Sequence, residues 1–316
     1  MAFIKKPSEL EPVMTLAALI YGQPGIGKTT LACSAPAPVL FDFDGGSHRI
    51  DGSHQVDTVP ISKWTDAVQA LQEVTQAGCY KTVVIDTIGK MLTCIEDEIK
   101  ATKPNLVDRS GNLSLKGFGL RKQMFSDFLR EAKNTGLSLL YVAHELESKE
   151  TKGGESITIK RPDCAAKQTV EIMKDIDLVG YMQASGQQNR RTITFDAMET
   201  AYTKNTCGMH GEIAIPEVLD NAGNIIAPNN FMTIIITNYA KMQADKKAQH
   251  VHYCRLVKEL TADSEKITDA KSANEFVEKV ASAPHIFNSL EVARVLMSRK
   301  AEALNLKYNA EAKRYE

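Results

Sequence analysis

Residues 22–29 read Gly22-Gln23-Pro24-Gly25-Ile26-Gly27-Lys28-Thr29. This spacing is that of a phosphate-binding loop, in which glycines let successive backbone N–H groups approach an anion closely. An apolar run precedes it at residues 16–21, and a segment with helical character follows at residues 29–34. In this strand–loop–helix context, we expect Lys28 to reach the β- and γ-phosphates of a nucleoside triphosphate and Thr29 to hold Mg²⁺. We assign nucleotide binding to all eight residues and to Thr30; the alternative is a tight turn with a chance lysine.

The composition limits the classes of function that the chain can serve. It has 316 residues, of which 43% are hydrophobic and 24% charged, and its formal net charge is −1. A net charge near zero provides no global attraction to nucleic acid, so any such site must be local. No apolar run approaches the ~20 residues of a membrane helix, and the six cysteines include no Cys-x-x-Cys pair. We therefore expect a cytoplasmic protein with reduced thiols and no membrane partner.

Acidic residues close two further apolar segments. Residues 81–85 predict a buried parallel strand, and Asp86 follows at its carboxyl end. In a chain with a phosphate loop, an acid at this place holds the magnesium ion, directly or through water. Residues 39–44 predict another strand that ends at Asp44, which we assign as the general base or water-orienting acid. Asp44 could instead form a turn with the glycines that follow, and we expect Asp42 to have a structural role more than a catalytic one.

A third strand end carries a histidine. Residues 137–143 form an apolar run that is followed by His144 and Glu145. A histidine at the tip of a strand can sense a γ-phosphate through a hydrogen bond, although it can equally cap a loop or helix. Strands alternating with helical patterns predict an α/β fold, with a mostly parallel sheet and helices on both faces.

The chain divides into three parts by pattern. Residues 1–13 are polar and contain prolines, which predicts an N-terminal arm. Residues 14–212 hold all the nucleotide-site signals and form the predicted core. Residues 213–316 lack such signals and carry helical stripes, which predicts a small, mostly helical C-terminal extension.

A local basic cluster lies in the segment 146–162. Its cations can neutralise nucleic-acid phosphates, and they are Lys149, Lys152, Lys160 and Arg161. Glutamates alternate with these cations, so a solvated hairpin is an equally good interpretation. The segment also lacks an aromatic side chain on which bases could stack.

Four segments together resemble a known family. The phosphate loop and residues 41–46, 83–87 and 141–145 are similar to the phage nucleotide-binding ATPases of RecA-like fold. This AAA-type group includes recombinases that anneal single-stranded DNA. The resemblance covers roughly residues 14–210 and implies a RecA-like P-loop NTPase, which hydrolyses ATP with Mg²⁺ and acts on single-stranded DNA in phage recombination, annealing or replication. The family usually has glutamate where this chain has Asp44, whose side chain is one methylene shorter.

The same resemblance implies partners. Lys204 falls where the family often has a basic residue that reaches the phosphates of a neighbouring subunit, which implies a homo-oligomeric ring or filament. Without the resemblance, Lys204 would be an ordinary surface lysine. The loops that would line a DNA channel correspond to residues 103–117 and 146–162. A phage or host single-strand binding protein is a further implied partner, and the bacterial cytoplasm is the implied compartment.

Two other functions use a phosphate loop. One is a nucleotide-dependent binding module or switch that hydrolyses ATP slowly or not at all, which the shorter Asp44 favours. The other is a small-molecule kinase, which normally needs an arginine-bearing lid. The segment after His144 is rich in lysine instead, so we rank the kinase last.

Overall fold

The computed structural model describes residues 4–152, 155–164, 175–185, 190–220 and 222–316. The chain forms two compact units. One comprises Thr15–Ala240, and the other combines Met1–Met14 with Lys241–Glu316.

Within the described residues, a large sheet and four helices precede the C-terminal helices. The strands are β1 Ala17–Gly22, β2 Pro38–Asp42, β3 Asp57–Pro60, β4 Thr82–Asp86, β5 Ser138–Lys152, β6 Glu155–Pro162, β7 Leu178–Ser185, β8 Arg190–Thr194, β9 Lys204–Asn205 and β10 Glu212–Ala214. The helices are α1 Lys28–Ala32, α2 Trp64–Ala77, α3 Ile88–Thr102 and α4 Leu115–Asn134.

The central strands of the sheet are parallel. Within the described residues the order is β10-β8-β7-β1-β5-β4-β2-β3, with β6 paired to β5 and β9 paired to β7. β1 runs parallel to both β5 and β7, and β4 runs parallel to β5 and β2. The antiparallel strands are β6, β8, β9 and β10. This arrangement confirms the predicted mostly parallel α/β sheet.

Both faces of the central strands are buried. One face packs against α2, α3 and α4, and its residues on β1 and β5 include Leu19, Tyr21, Leu139 and Tyr141. Their neighbours point to the other face and are also fully buried, namely Ala18, Ile20, Leu140 and Val142. Helix α1 packs on β1 and β5. Continuous apolar runs are typical of strands covered on both sides, which is why these segments lack an alternating pattern.

The helices follow their apolar stripes and caps. In α4, Phe125, Phe128 and Ala132 are buried, as their helical spacing predicts. The hydroxyl of Ser114 accepts a hydrogen bond from the N–H of Gly117 and so caps the N-terminus of α4. Strand β5 continues beyond the sheet and pairs with β6 from Glu145↔Pro162 to Lys152↔Glu155. Strands β5 and β6 therefore form a hairpin, and its role in nucleic-acid binding stays a prediction.

The C-terminal helices are α5 Phe231–Glu265, α6 Ala270–Ser282 and α7 Ser289–Ala303, followed by the short strands β11 Tyr308–Asn309 and β12 Arg314–Tyr315. Helix α5 is 35 residues long and runs through residues 243–250 without a break. It continues because residues 243–250 contain no Gly or Pro and several strong helix formers, although they carry no apolar stripe. In the unit formed by Met1–Met14 and Lys241–Glu316, a separate core includes Leu260, Phe276 and Met297. Within the described residues, every helix is too short or too polar to cross a membrane.

Candidate functional site

The phosphate loop connects β1 to α1, and its glycines are required for two different reasons. Gly25 and Gly27 have φ angles of +77° and +92°, which glycine adopts without steric cost. A Cβ on Gly22 would lie 2.2 Å from the carbonyl oxygen of Met182, on the neighbouring strand β7. Two glycines thus allow the loop conformation, and Gly22 allows β1 and β7 to approach closely.

The Lys28 ammonium lies inside this loop. Its side chain is buried, and its Nζ donates hydrogen bonds to the carbonyl oxygens of Gly22 at 3.0 Å and Gln23 at 2.7 Å. Burial lowers the pKa of Lys28, whereas the negative charges of Asp86, Glu145 and Asp44 oppose that shift. The loop therefore holds a buried cation next to several carboxylates.

Thr29 and Asp86 bring two oxygen ligands together. The Thr29 hydroxyl donates to Oδ2 of Asp86 at 2.6 Å, and the Asp86 residue is only 6% exposed. Burial raises the pKa of Asp86, the Thr29 hydrogen bond lowers it, and the nearby Asp44 and Asp42 raise it again; the net shift is upward. A divalent cation would relieve this crowding of negative charge. Hydroxyl and carboxylate oxygens are the ligands that Mg²⁺ prefers, so these residues fit the predicted magnesium site.

The two acids at the end of β2 lie in different environments. The buried Asp42 carboxylate accepts hydrogen bonds from the backbone N–H groups of Gly46 at 3.1 Å and Ser47 at 2.9 Å. Burial alone would raise the pKa of Asp42, but the hydrogen bonds from Ser47 and Gly46 outweigh it, and the pKa lies below its ordinary value. Asp42 therefore stabilises the turn that follows Asp44.

Asp44 lies beside Asp86. The backbone N–H groups of Phe43 and Asp44 donate to the Asp86 carbonyl oxygen at 2.7 and 3.2 Å. The Asp44 side chain is 21% exposed, and its Oδ2 lies 3.9 Å from the guanidinium of Arg49. The backbone therefore fixes the position of Asp44 next to the predicted metal ligand, while its carboxylate is held only loosely.

His144 lies on the strand between the phosphate loop and Asp86. It pairs in register with Gly22, and its Nδ1 is buried without a hydrogen-bond partner among the described residues. His144 lines a pocket that also contains Thr87 and Arg121. Its neighbour Glu145 accepts hydrogen bonds from the Tyr181 hydroxyl at 3.2 Å and from Lys160 at 3.1 Å. Within the described part of the chain nothing occupies this ring nitrogen, and the sensing role of His144 stays a prediction.

The four cations of the predicted nucleic-acid cluster lie on the two strands of the β5–β6 hairpin. Lys160 pairs with the carboxylates of both Glu145 and Glu147, and the hydrogen bond to Glu147 is the main reason that its pKa is raised. Arg161 is partly buried. Lys149 lies opposite Thr158 on the hairpin, and the side chain of Lys152 is outside the described residues.

Lys204 belongs to β9 and pairs with Val179 near the start of β7. Val179 is the register partner of Leu19, so Lys204 lies toward the amino end of these strands, away from the phosphate loop. Its role in a neighbouring subunit stays a prediction.

Arg191 is a site residue that sequence reasoning missed. A Cβ on Gly27 would lie 2.7 Å from a guanidinium nitrogen of Arg191, so this side chain rests directly on the phosphate loop. Arg191 reaches the loop because β8 pairs with β7 and β7 pairs with β1. This strand order cannot be read from the local sequence, so nothing there distinguishes Arg191 from Arg190. A second missed contact joins the Asn229 amide to the carbonyl oxygen of Thr30 at 3.0 Å.

The phosphate loop lies between β1 and α1, and β1 belongs to a mostly parallel sheet. This arrangement is that of the P-loop nucleoside triphosphatase fold. A family model described as an AAA domain matches residues 14–207. That match covers more than half of the 316 residues, and the chain belongs to this family. No curated protein matches the chain.

Proposed function

We propose that this protein binds ATP with Mg²⁺ and hydrolyses it to ADP and phosphate. The observation that carries the proposal is the 2.6 Å contact between the Thr29 hydroxyl and Asp86, at the loop that holds the buried Lys28. A hydroxyl and a carboxylate next to a buried ammonium form a site for a metal ion and for phosphate oxygens. Membership of the AAA domain family supports the same assignment.

Each residue then has a separate role. Lys28 exchanges the carbonyl oxygens of Gly22 and Gln23, to which it now donates, for phosphate oxygens. Thr29 and Asp86 hold the magnesium ion, which neutralises charge that develops on the phosphates. Asp44 orients the attacking water, since the backbone fixes it beside Asp86.

Single-turnover hydrolysis tests this function. The Asp44→Asn variant should lose most of its hydrolysis rate and keep its affinity for ATP, because the amide cannot accept a proton from water. Asp127→Asn is a matched control, since Asp127 is a surface residue that pairs only with Arg130 among the described residues. A wild-type rate near zero, in a protein that binds ATP, would instead support the nucleotide-dependent switch.

We further propose that the protein acts on single-stranded DNA in phage recombination, annealing or replication, as a homo-oligomeric ring or filament in a bacterial cytoplasm. The support is the resemblance to phage proteins of RecA-like fold, together with the position of the β5–β6 hairpin. This hairpin continues β5 directly beyond His144, so a ligand on it would lie close to the nucleotide site. In the oligomer Lys204 would reach the phosphates of a neighbouring subunit, and a phage or host single-strand binding protein would be a further partner.

A salt titration tests the nucleic-acid proposal. Fluorescence anisotropy should show tighter binding to single-stranded than to double-stranded DNA, stronger binding with ATP, and affinity that falls as salt rises. Lys149→Ala should weaken binding more than Lys160→Ala, because Lys160 is already paired with two carboxylates. Affinity that depends on neither salt nor nucleotide would contradict the proposal. Sedimentation with and without ATP tests the oligomer.

A further inference from the structure

Arg191 lies on the opposite side of the phosphate loop from the predicted metal ligands. In the sheet, β5, β4 and β2 follow on one side of β1, and they carry Asp86 and Asp44 at their ends. On the other side, β7 and then β8 follow, and β8 carries Arg191. The loop is therefore flanked by carboxylates on one side and by a guanidinium on the other.

The contact between Arg191 and the loop is close. A Cβ on Gly27 would lie only 2.7 Å from the guanidinium, whereas a Cβ on Gly25 would meet no atom within 4 Å. Gly27 is required for its positive φ, and a Cβ there would in addition displace the guanidinium from its place on the loop. Its position places Arg191 at the part of the loop whose backbone the sequence assigns to phosphate binding.

The charge of Arg191 has no partner among the residues that the structure describes. Across the part of the chain that the structure describes, its side chain makes neither an ion pair nor a hydrogen bond. By contrast, Lys28 donates to two carbonyl oxygens and Arg121 pairs with Glu96. A half-buried guanidinium whose donors have no partner within the described residues is suited to the bidentate recognition of a phosphate group.

A pocket with apolar walls continues from Arg191. Its lining includes Thr30 and Leu31 of α1 and the side chains of Ile215, Pro216, Val218 and Pro228. Two hydrogen bonds hold the walls in place. The Ile215 N–H donates to the Arg191 carbonyl oxygen on β8 at 2.9 Å, and the Asn229 amide donates to the Thr30 carbonyl oxygen on α1. The pocket has a volume of about 20 Å³, the size of a water molecule rather than of a nucleoside, so its walls position Arg191 and do not themselves form a ligand site.

We propose that Arg191 binds the α-phosphate of the nucleotide, on the side of the phosphate loop that lies away from the metal ligands. This inference rests on the proposed binding of ATP and adds the direction in which the nucleotide lies. The γ-phosphate and metal face Thr29 and Asp86, and the α-phosphate faces Arg191. Arg191 then contacts a phosphate that ADP and ATP share, so it contributes equally to the affinity for both.

Equilibrium binding of ATP and ADP in the presence of Mg²⁺ tests this assignment. Arg191→Ala should weaken both nucleotides by a similar factor, roughly 10- to 100-fold, which is the usual effect of losing hydrogen bonds from a charged group. Arg191→Lys should recover part of the loss, because it keeps the charge without the planar fork. Arg190→Ala is the matched control, since neighbouring residues on a strand point to opposite faces, and its affinity should equal that of the wild type.

Three results would overturn the assignment. A loss for ATP much larger than for ADP would place Arg191 at the γ-phosphate instead. Unchanged binding of both nucleotides to a folded Arg191→Ala protein would leave Arg191 with a structural role only, while the proposed function stands. If the folded wild type bound neither nucleotide, the proposed function would fail together with this inference. Far-UV circular dichroism and thermal unfolding establish that each variant is folded.

Discussion

Asp42 and Asp86 are register partners on adjacent parallel strands, and both are buried, yet their pKa values shift in opposite directions. Asp42 accepts hydrogen bonds from two backbone N–H groups, which favour its charged form. Asp86 receives one hydroxyl hydrogen bond and faces two other carboxylates, so burial dominates. Replacing each acid by asparagine should therefore have opposite effects on stability.

The magnitude for Asp42→Asn follows from its contacts. Asparagine keeps one acceptor oxygen but places an amide N–H group against a backbone N–H group, so one charge-assisted hydrogen bond is lost and one donor is unpaired. Such a loss lowers stability by about 1–3 kcal/mol. In a domain of this size each kcal/mol lowers the melting temperature by about 2–4 °C, so the expected decrease is about 2–12 °C. Asp86→Asn removes a buried charge, and the Thr29 hydroxyl can donate to the new amide oxygen. Without Mg²⁺, this variant should be at least as stable as the wild type at neutral pH.

The dependence on pH has a defined sign for each acid. The pKa of Asp42 is lower in the folded state than in the unfolded state, so its stabilisation is present above the ordinary carboxyl range and is lost as pH falls. The stability difference between the wild type and Asp42→Asn should therefore shrink in acid. The pKa of Asp86 is raised by folding, so its unfavourable contribution is present at neutral pH and disappears as pH falls.

Urea unfolding followed by tryptophan fluorescence measures these differences. Trp64 is the single tryptophan of the chain, and it is buried against Phe128 with a ring separation of 5.2 Å. Its emission therefore reports on the unit Thr15–Ala240, which contains both acids. The reasoning is refuted if Asp86→Asn destabilises the metal-free protein as much as Asp42→Asn at neutral pH. It is also refuted if the effect of Asp42→Asn does not shrink in acid.

Three further predictions concern packing, metal binding and a helix cap. Gly22→Ala should destabilise the protein by about 1–3 kcal/mol, because the new Cβ would meet the fixed carbonyl of Met182. The control Gly119→Ala, on an open helix surface, should be neutral or stabilising by up to ~1 kcal/mol. Equal melting temperatures for the two variants would contradict this contrast. Protons and Mg²⁺ compete for Asp86, whose pKa is raised by burial. The gain in ATP affinity from Mg²⁺, measured by calorimetric titration, should therefore decrease as pH falls. A gain independent of pH would argue against Asp86 as a ligand. Asp269→Ala removes the cap of α6 and should lower stability by about 0.5–2 kcal/mol. The helical circular dichroism should decrease while the unfolding transition of the tryptophan fluorescence stays unchanged. A change in the tryptophan transition would contradict this prediction.

The part of the site that could be predicted from the sequence is encoded in short segments. An apolar run followed by the phosphate loop, by Asp86 or by His144 specifies a buried strand with a functional segment or side chain at its carboxyl end. Parallel strands place those ends at the same edge of the sheet, and the register pairs Gly22↔His144 and Asp42↔Asp86 show this directly. Local patterns were therefore sufficient for the fold class and for the positions of the candidate residues.

The remaining features depend on contacts between distant segments. Arg191 reaches the loop only because β8 pairs with β7 and β7 with β1, an order that no local pattern specifies. The neutralisation of Lys160 depends on Glu145, which lies 15 residues earlier and is brought near by the hairpin. The full length of α5 cannot be read from an apolar stripe, because residues 243–250 have none, although their composition favours a helix.

Calorimetric titration of ATP, with Mg²⁺ and with EDTA in its place, tests the central claim most directly. The wild type should bind ATP with Mg²⁺ and bind it more weakly with EDTA. Lys28→Ala should lose measurable binding, because the buried ammonium provides the charge inside the loop. Lys90→Ala, which removes an exposed lysine from α3, should bind ATP like the wild type. An affinity for ATP in Lys28→Ala equal to that of the wild type would contradict the account.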